Sequence, residues 1–167
     1  MRTPSSGPSP DEGFDAVFRS LFTQSYRVAR RIVGDPATAE DIAAEAMSRA
    51  YAHWHKIADL PYRDAWVMRV TTNLALNAVR KRRPLPADPP PVSDDDATAT
   101  RLALAAALQA LPERQREVIV LRHLAGFSEV EIADYLGISL GSVKTHMRRA
   151  KTKLRGRLSV DLLGTES

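Results

Sequence analysis

Residues 128–154 read SEVEIADYLGISLGSVKTHMRRAKTKL, and the order of residue types in this stretch settles the architecture of the C-terminal half. Ser128 followed three residues later by Glu131 predicts a reciprocal helix start: the hydroxyl accepts from a backbone N–H while the carboxylate reaches back to the cap residue. Ala133, Gly137 and Val143 then stand at the spacing of a helix-turn-helix. Each has a mechanical reason: a small residue where two helices cross, a left-handed turn residue, and a β-branched anchor that buries the second helix against the first. One alanine or glycine means little; the ordered set is specific. Ser139 is placed to cap the second helix, along which Val143, Met147, Ala150 and Leu154 step by four, three and four residues on one buried face.

The remaining faces of that second helix carry the chemistry. Between Lys144 and Arg157 there are seven cations and no acid. Ser142, Lys144, Thr145, Arg148 and Arg149 are offered toward the floor and walls of a DNA major groove. A solvated basic face would explain the cations, but not why the N-terminal end of the helix is small and polar, where base edges have to approach.

Upstream, Leu102, Ala105 and Leu108 mark one helix, and Pro112 starts another through Val118, Leu121 and Leu124 that Gly126 ends. Before them lies PLPADPPPVSDDDA, residues 84–97, with five prolines and four aspartates. Such a segment neither continues a helix nor buries apolar area, so it reads as an extended, solvated linker reaching about 40 Å. Its residues leave open whether it is a passive spacer or its acidic charge has a role of its own.

In the N-terminal half, Phe14, Val17, Phe18, Leu21, Val28 and Ile32 recur at helical spacing, and Gly34-Asp35-Pro36 reads as a stop, a new cap and a first-turn proline. A second helix is predicted from Pro36 to about Trp54, with Ile42, Ala43, Ala46, Ala50 and Trp54 inward and Asp41 and Glu45 displayed four apart on another face. By themselves these carboxylates are either a docking feature or a solvated acidic face. A loop over 55–62 leads into a third helix, DAWVMRVTTNLALNAVRKRR, whose predicted apolar stripe is Val67, Val70, Leu74 and Ala78. Its last four residues, Arg80, Lys81, Arg82 and Arg83, complement the helix dipole, but four adjacent cations gain more beside phosphates. Trp54, Tyr62 and Trp66 stand near the loop; the tryptophans are expected in the core, and Tyr62 is expected exposed, free to stack on an unpaired base.

Composition bounds the rest. With 167 residues and 44% hydrophobic content the chain supports two small helical units. It has no cysteine, which excludes disulfides, thiolate metal sites and cysteine nucleophiles and fits a reducing compartment. No apolar run approaches the roughly 20 residues of a membrane span, and residues 1–13 are rich in Pro, Ser and Gly without an apolar signal core, so a cytoplasmic protein without membrane insertion is expected. The formal charge of +4 is unevenly spread: residues 1–83 hold 13 basic and 9 acidic side chains, 84–97 none and 4, and 98–167 11 and 7. Two basic blocks flank an acidic hinge. His53, His55, His123 and His146 are scattered without nucleophile or carboxylate partners, so no enzymatic activity, metal, cofactor or small-molecule substrate is expected.

Taken together, the residues from Phe14 to Leu158 resemble the extracytoplasmic-function (ECF) sigma factors, the group IV members of the sigma-70 superfamily of RNA polymerase sigma factors. DPATAEDIAAEAMSRAYAHW is similar to their main polymerase-binding helix, DAWVMRVTTNLALNAVRKRR to the segment that recognises and helps melt the minus-10 element, and LPERQREVIVLRHLAGFSEVEIADYLGISLGSVKTHMRRAKTKL to their fourth conserved region, which reads the minus-35 element. LPERQREV ahead of a helix-turn-helix is the most distinctive piece.

The resemblance implies an all-α fold of two domains, three helices and then four. It implies a disordered tail over 1–12, region 2 over 13–83, the linker over 84–97, region 4 over 98–160 and a tail over 161–167. It implies that Asp41 and Glu45 meet the polymerase clamp helices, that Tyr62, Arg63, Trp66, Arg69, Asn73, Arg80, Lys81, Arg82 and Arg83 serve the single-stranded minus-10 element, and that Ser139, Ser142, Lys144, Thr145, Arg148, Arg149 and Lys153 serve the minus-35 duplex. Ala44 stands where the family often has glutamine and His146 where it often has arginine. Core RNA polymerase and promoter DNA are the implied partners, and an anti-sigma factor is a frequent further one. The rival expectation is a conventional helix-turn-helix regulator that binds operator DNA without polymerase.

Overall fold

Backbone satisfaction drives the chain into helices wherever a cap and an apolar face coincide. A computed structural model of the chain describes residues 10–82 and 96–158. Among these, every regular element is helical: α1 (Pro10–Val33), α2 (Pro36–Ala52), α3 (Trp54–Ile57), α4 (Arg63–Arg82), α5 (Asp96–Gln109), α6 (Glu113–His123), α7 (Glu129–Leu136) and α8 (Leu140–Arg155). The expected linker lies outside the described residues except for Asp96 and Ala97, which open α5; Arg83 lies outside them too.

The boundaries follow local chemistry. Gly34 takes φ +78 after α1, and Asp35 caps α2 by accepting from the Thr38 N–H at 2.8 Å, with Pro36 following it. Ser128 and Glu131 form the reciprocal cap of α7, Gly137 ends that helix at φ 64, and Ser139 caps α8 through the Ser142 N–H at 3.1 Å. These three signals make the turn of the helix-turn-helix.

α1, α2 and α4 pack together with Leu21, Val28, Ile32, Ala43, Ala46, Val67 and Met68 between them. In the C-terminal half α6 packs on α8, and α7 lies across both through Val118, Leu121, Ile132, Val143, Ala150 and Leu154. Each fully buried large side chain contributes about 1.5–3 kcal/mol, so this apolar interior outweighs the exposed ion pairs, worth about 0–1 kcal/mol each.

Several sequence expectations shift. The predicted loop over 55–62 contains a short helix, α3, because Trp54 and Ile57 are both buried and one helical turn is what points both inward. α1 begins at Pro10, ahead of the expected start at 13. Phe18 and Leu102, apolar members of the patterns that mark their helices, are 40% and 52% exposed. On α4 the fully buried side is Val67–Met68, Thr71–Thr72 and Ala75–Leu76, whereas Val70, Leu74 and Ala78 are half-buried. The threonines make this possible: their hydroxyls donate to the carbonyls of Val67 (2.9 Å) and Met68 (2.8 Å), so each enters the core with its polar atom satisfied.

The two halves touch. Gln24 donates to the Ala125 carbonyl at 3.0 Å, Arg31 to the His123 carbonyl at 3.2 Å, and Gln109 to the Leu76 carbonyl at 2.7 Å.

Candidate nucleic-acid interface

α8 presents a cationic surface. Its buried side is Val143, Met147, Ala150 and Leu154, which turns Lys144, Arg148, Arg149 and Lys153 to solvent. Ser142 and Thr145 are half-buried near the N-terminal end; Ser139 Oγ lies 2.9 Å from Ser142 Oγ, and Thr145 donates to the Gly141 carbonyl at 2.9 Å. These hydroxyls are held in place and each keeps acceptor capacity for a base edge. His146 is half-buried, so it offers less reach than an arginine would. Lys144, Arg148, Lys151 and Arg155 line a shallow groove of about 260 Å³ beside Glu129 at the start of α7. Lys151 and Arg155 were not among the expected site residues; their spacing of seven and four from Lys144 and Lys151 was the available signal.

The second surface is a single stripe along α4. Tyr62, Trp66, Arg69, Asn73, Asn77 and Arg80 follow at steps of four, three, four, four and three, which stacks them on one helix face. Asn73, Asn77 and Arg80 are exposed and share a cleft of about 520 Å³ with Gln109 and Arg116 of the C-terminal half. Asn77, Gln109 and Arg116 were missed from sequence, the last two because only the tertiary fold brings them to α4. Tyr62 is half-buried rather than exposed, its ring 5.5 Å from that of Tyr135. Trp54 is in the core, as expected, and Trp66 is half-buried with its ring 5.5 Å from His53. Arg63 stands apart from the stripe: its guanidinium lies 5.4 Å from the Trp54 ring and its Nε 3.0 Å from Asp64. Lys81 is exposed beside Arg80 at the end of the stripe, and α4 continues through Arg82.

Arg69 sits at the middle of the stripe and is paired across the seam. Its Nη2 lies 3.0 Å from Glu113 Oε1 and its Nε 2.9 Å from Glu117 Oε1. Burial works against its charge, but the Glu117 carboxylate, then Tyr135 and Glu113, hold the guanidinium above its ordinary range. Burial likewise pushes the Tyr135 phenol up, with Arg69 partly opposing.

On α2, Asp41 and Glu45 are exposed on one side, away from buried Ile42, Ala43 and Ala46, with Ala44 exposed beside them. Glu45 pairs with Arg49 at 2.7 Å. Among the described residues no three His, Asp or Glu side chains stand together as a metal ion requires, and no helix is long and apolar enough to cross a membrane.

A helix-turn-helix with a cationic recognition helix, joined in one chain to a helical unit bearing an aromatic, amide and arginine stripe, defines a two-part DNA-binding transcription factor. The Sigma-70 region 2 family matches residues 17–84 and Sigma-70, region 4 matches residues 101–154. The chain belongs to the sigma-70 family, among the ECF RNA polymerase sigma factors, and acts in promoter-directed initiation of transcription. The RNA polymerase sigma-E factor of Streptomyces coelicolor is 38% identical over 151 residues, covering 87% of this chain and 85% of that one. The ECF RNA polymerase sigma factor SigW of Bacillus subtilis is 32% identical over 156 residues, covering 80% and 82%. Among solved structures, CnrH in complex with the cytosolic domain of CnrY has a TM-score of 0.59 at 26% identity, with 89% of this chain and 88% of that one aligned.

Proposed function

We propose that this sigma factor divides promoter recognition between its two surfaces, with α8 reading the minus-35 duplex and the α4 stripe holding the single-stranded minus-10 element. The observation that carries the reading is the stripe itself: Tyr62, Trp66, Arg69, Asn73 and Arg80 share one face, which suits a strand whose bases stack on aromatics and pair with an amide while its phosphates meet arginines. Ser139, Ser142, Lys144, Thr145, Arg148, Arg149 and Lys153 serve the duplex in the same way, with Lys151 and Arg155 added as phosphate contacts on the strength of the groove they line.

Residues 13–83 then act as region 2, 98–160 as region 4, and 84–97 as the connecting linker. Asp41 and Glu45 dock on core RNA polymerase, whose catalytic centre carries out all phosphoryl transfer; the chain itself is no enzyme and works in the cytoplasm. An anti-sigma factor is a fitting further partner, and CnrH was itself solved in complex with a second protein, the cytosolic domain of CnrY.

The test is co-elution of the chain with core RNA polymerase followed by runoff transcription from a genomic promoter pool, comparing wild type with Asp41→Arg/Glu45→Arg. Loss of binding and initiation in the double variant is the expected result. Tight operator binding by the chain alone, indifferent to polymerase, would sink the reading in favour of a conventional regulator.

A further inference from the structure

The α4 stripe is also the surface on which the C-terminal half lies. Tyr135 stands over Tyr62, and Glu113 and Glu117 hold Arg69 at 3.0 and 2.9 Å. Glu117 is the unusual member of this group. Its side chain is only 6% exposed, and Arg114 of its own helix approaches the other oxygen at 3.0 Å. A carboxylate so buried requires charge neutralisation, and Arg69 supplies half of it from the other unit. Arg69 donates a hydrogen bond to Glu113 and holds Glu117 as a close ion pair, and a phosphate competes with carboxylates for a guanidinium through the same charge-assisted contacts. Further along the seam Arg80 and Arg116 line the same cleft, which no carboxylate lines. Their repulsion acts across solvent, whereas the Arg69 pairs are in contact, so the attraction at the Arg69 end prevails.

We infer that Glu113 and Glu117 act as an intramolecular stand-in for promoter phosphate: in the free chain they clasp Arg69 and close the C-terminal unit over the α4 stripe, and single-stranded DNA reaches the stripe only when the units part. This rests on the reading of the stripe as a DNA surface. The closed form is an electrostatic competitor of the chain's own ligand, and it releases Arg69 when a phosphate takes the place of the carboxylates.

The chain has no cysteine, so spin labels at Ser48→Cys on α2 and Val130→Cys on α7, both exposed positions, report the distance between the units by pulsed electron resonance in the full-length protein. In wild type the short-distance population is expected to dominate at about 0.05 M salt and to give way to a longer one toward about 0.5 M. Glu113→Gln/Glu117→Gln is expected to enlarge the open population roughly fivefold at low salt and to flatten its salt response. Affinity for a fluorescent single-stranded oligonucleotide should rise by a similar factor. Arg69→Glu should open the chain, and adding Glu113→Arg, at a largely exposed position, together with Glu117→Gln, which removes the carboxylate left facing the new one, should reclose it. That rescue is one that a purely structural role for these side chains does not produce, and it decides the matter should the glutamine variant fail to fold.

An unchanged distance distribution in the glutamine variant, or no reclosing in the charge swap, overturns the inference. Opening without any gain in single-strand affinity upholds the clasp and instead removes Arg69 from the DNA surface.

Discussion

Thr71 and Ser25 join α4 to α1 through their hydroxyls, 3.1 Å apart with both residues fully buried. Thr71 shares its proton with the Val67 carbonyl, so one hydroxyl serves both its own helix and its neighbour. Thr71→Val preserves the shape and strands the Ser25 hydroxyl in an apolar seam. It should cost about 1–2 kcal/mol in urea unfolding, with Ser25→Ala added on top recovering part of the loss. Strict additivity of the two substitutions would show that the hydroxyls do not depend on each other.

The start of α7 makes a pH-dependent contribution. The Ser128 backbone N–H and hydroxyl both donate to Glu131 Oε2, at 2.8 and 2.7 Å, and hold that carboxyl below the usual glutamate range. A depressed value in the folded chain means that the stabilisation is present above the unfolded-state value, about 4.3, and is lost as pH falls through the folded one. Glu131→Gln should therefore lower the melting temperature slightly at neutral pH, because the carboxylate is exposed and screened, and should match wild type once the pH has fallen through the depressed folded-state value. Ser128→Ala should cost about 1 kcal/mol. A Glu131→Gln deficit that persists unchanged into acid would assign the effect to packing rather than charge.

On α8, residues aimed at bases and residues aimed at phosphates should separate by their salt behaviour. Lys151→Ala should weaken binding of a cognate minus-35 duplex and a scrambled one alike and reduce the slope of log affinity against log salt by about 1. Arg149→Ala should cost about 1–3 kcal/mol on the cognate duplex and relax preference at one base pair. Fluorescence anisotropy across a salt series distinguishes them; the same uniform loss from both substitutions would place Arg149 on the backbone.

Punctuation was the most legible part of the chain. The Gly34-Asp35-Pro36 junction, the Ser128/Glu131 cap, Gly137 and Ser139 each act within three or four residues of themselves, so their structural effect is written locally, and the helix-turn-helix follows from them. The buried face of α8 was equally legible, because four apolar residues at steps of four, three and four admit one orientation of the helix.

The buried side of α4 was less so. Thr71 and Thr72 count as polar in any periodicity argument, and only their bonds to Val67 and Met68 reveal why they sit in the core. Phe18 misled in the opposite sense, being apolar in a helical register yet 40% exposed, since the width of a buried stripe depends on how many neighbours flank the helix.

The sequence by itself determined the longer helices, the caps at Asp35, Ser128 and Ser139, the recognition motif and the family, but not the short α3. It placed Trp66, Arg69, Asn73 and Arg80 on one helix, with Tyr62 in the loop just before it, because spacing along a helix is a local property. Only the tertiary structure decided what faces them. That Glu113, 44 residues from Arg69, reaches its guanidinium at 3.0 Å, or that Tyr135 covers Tyr62, depends on how two separately capped units dock. Docking is settled by complementarity between surfaces far apart in the chain, for which no local spacing rule exists.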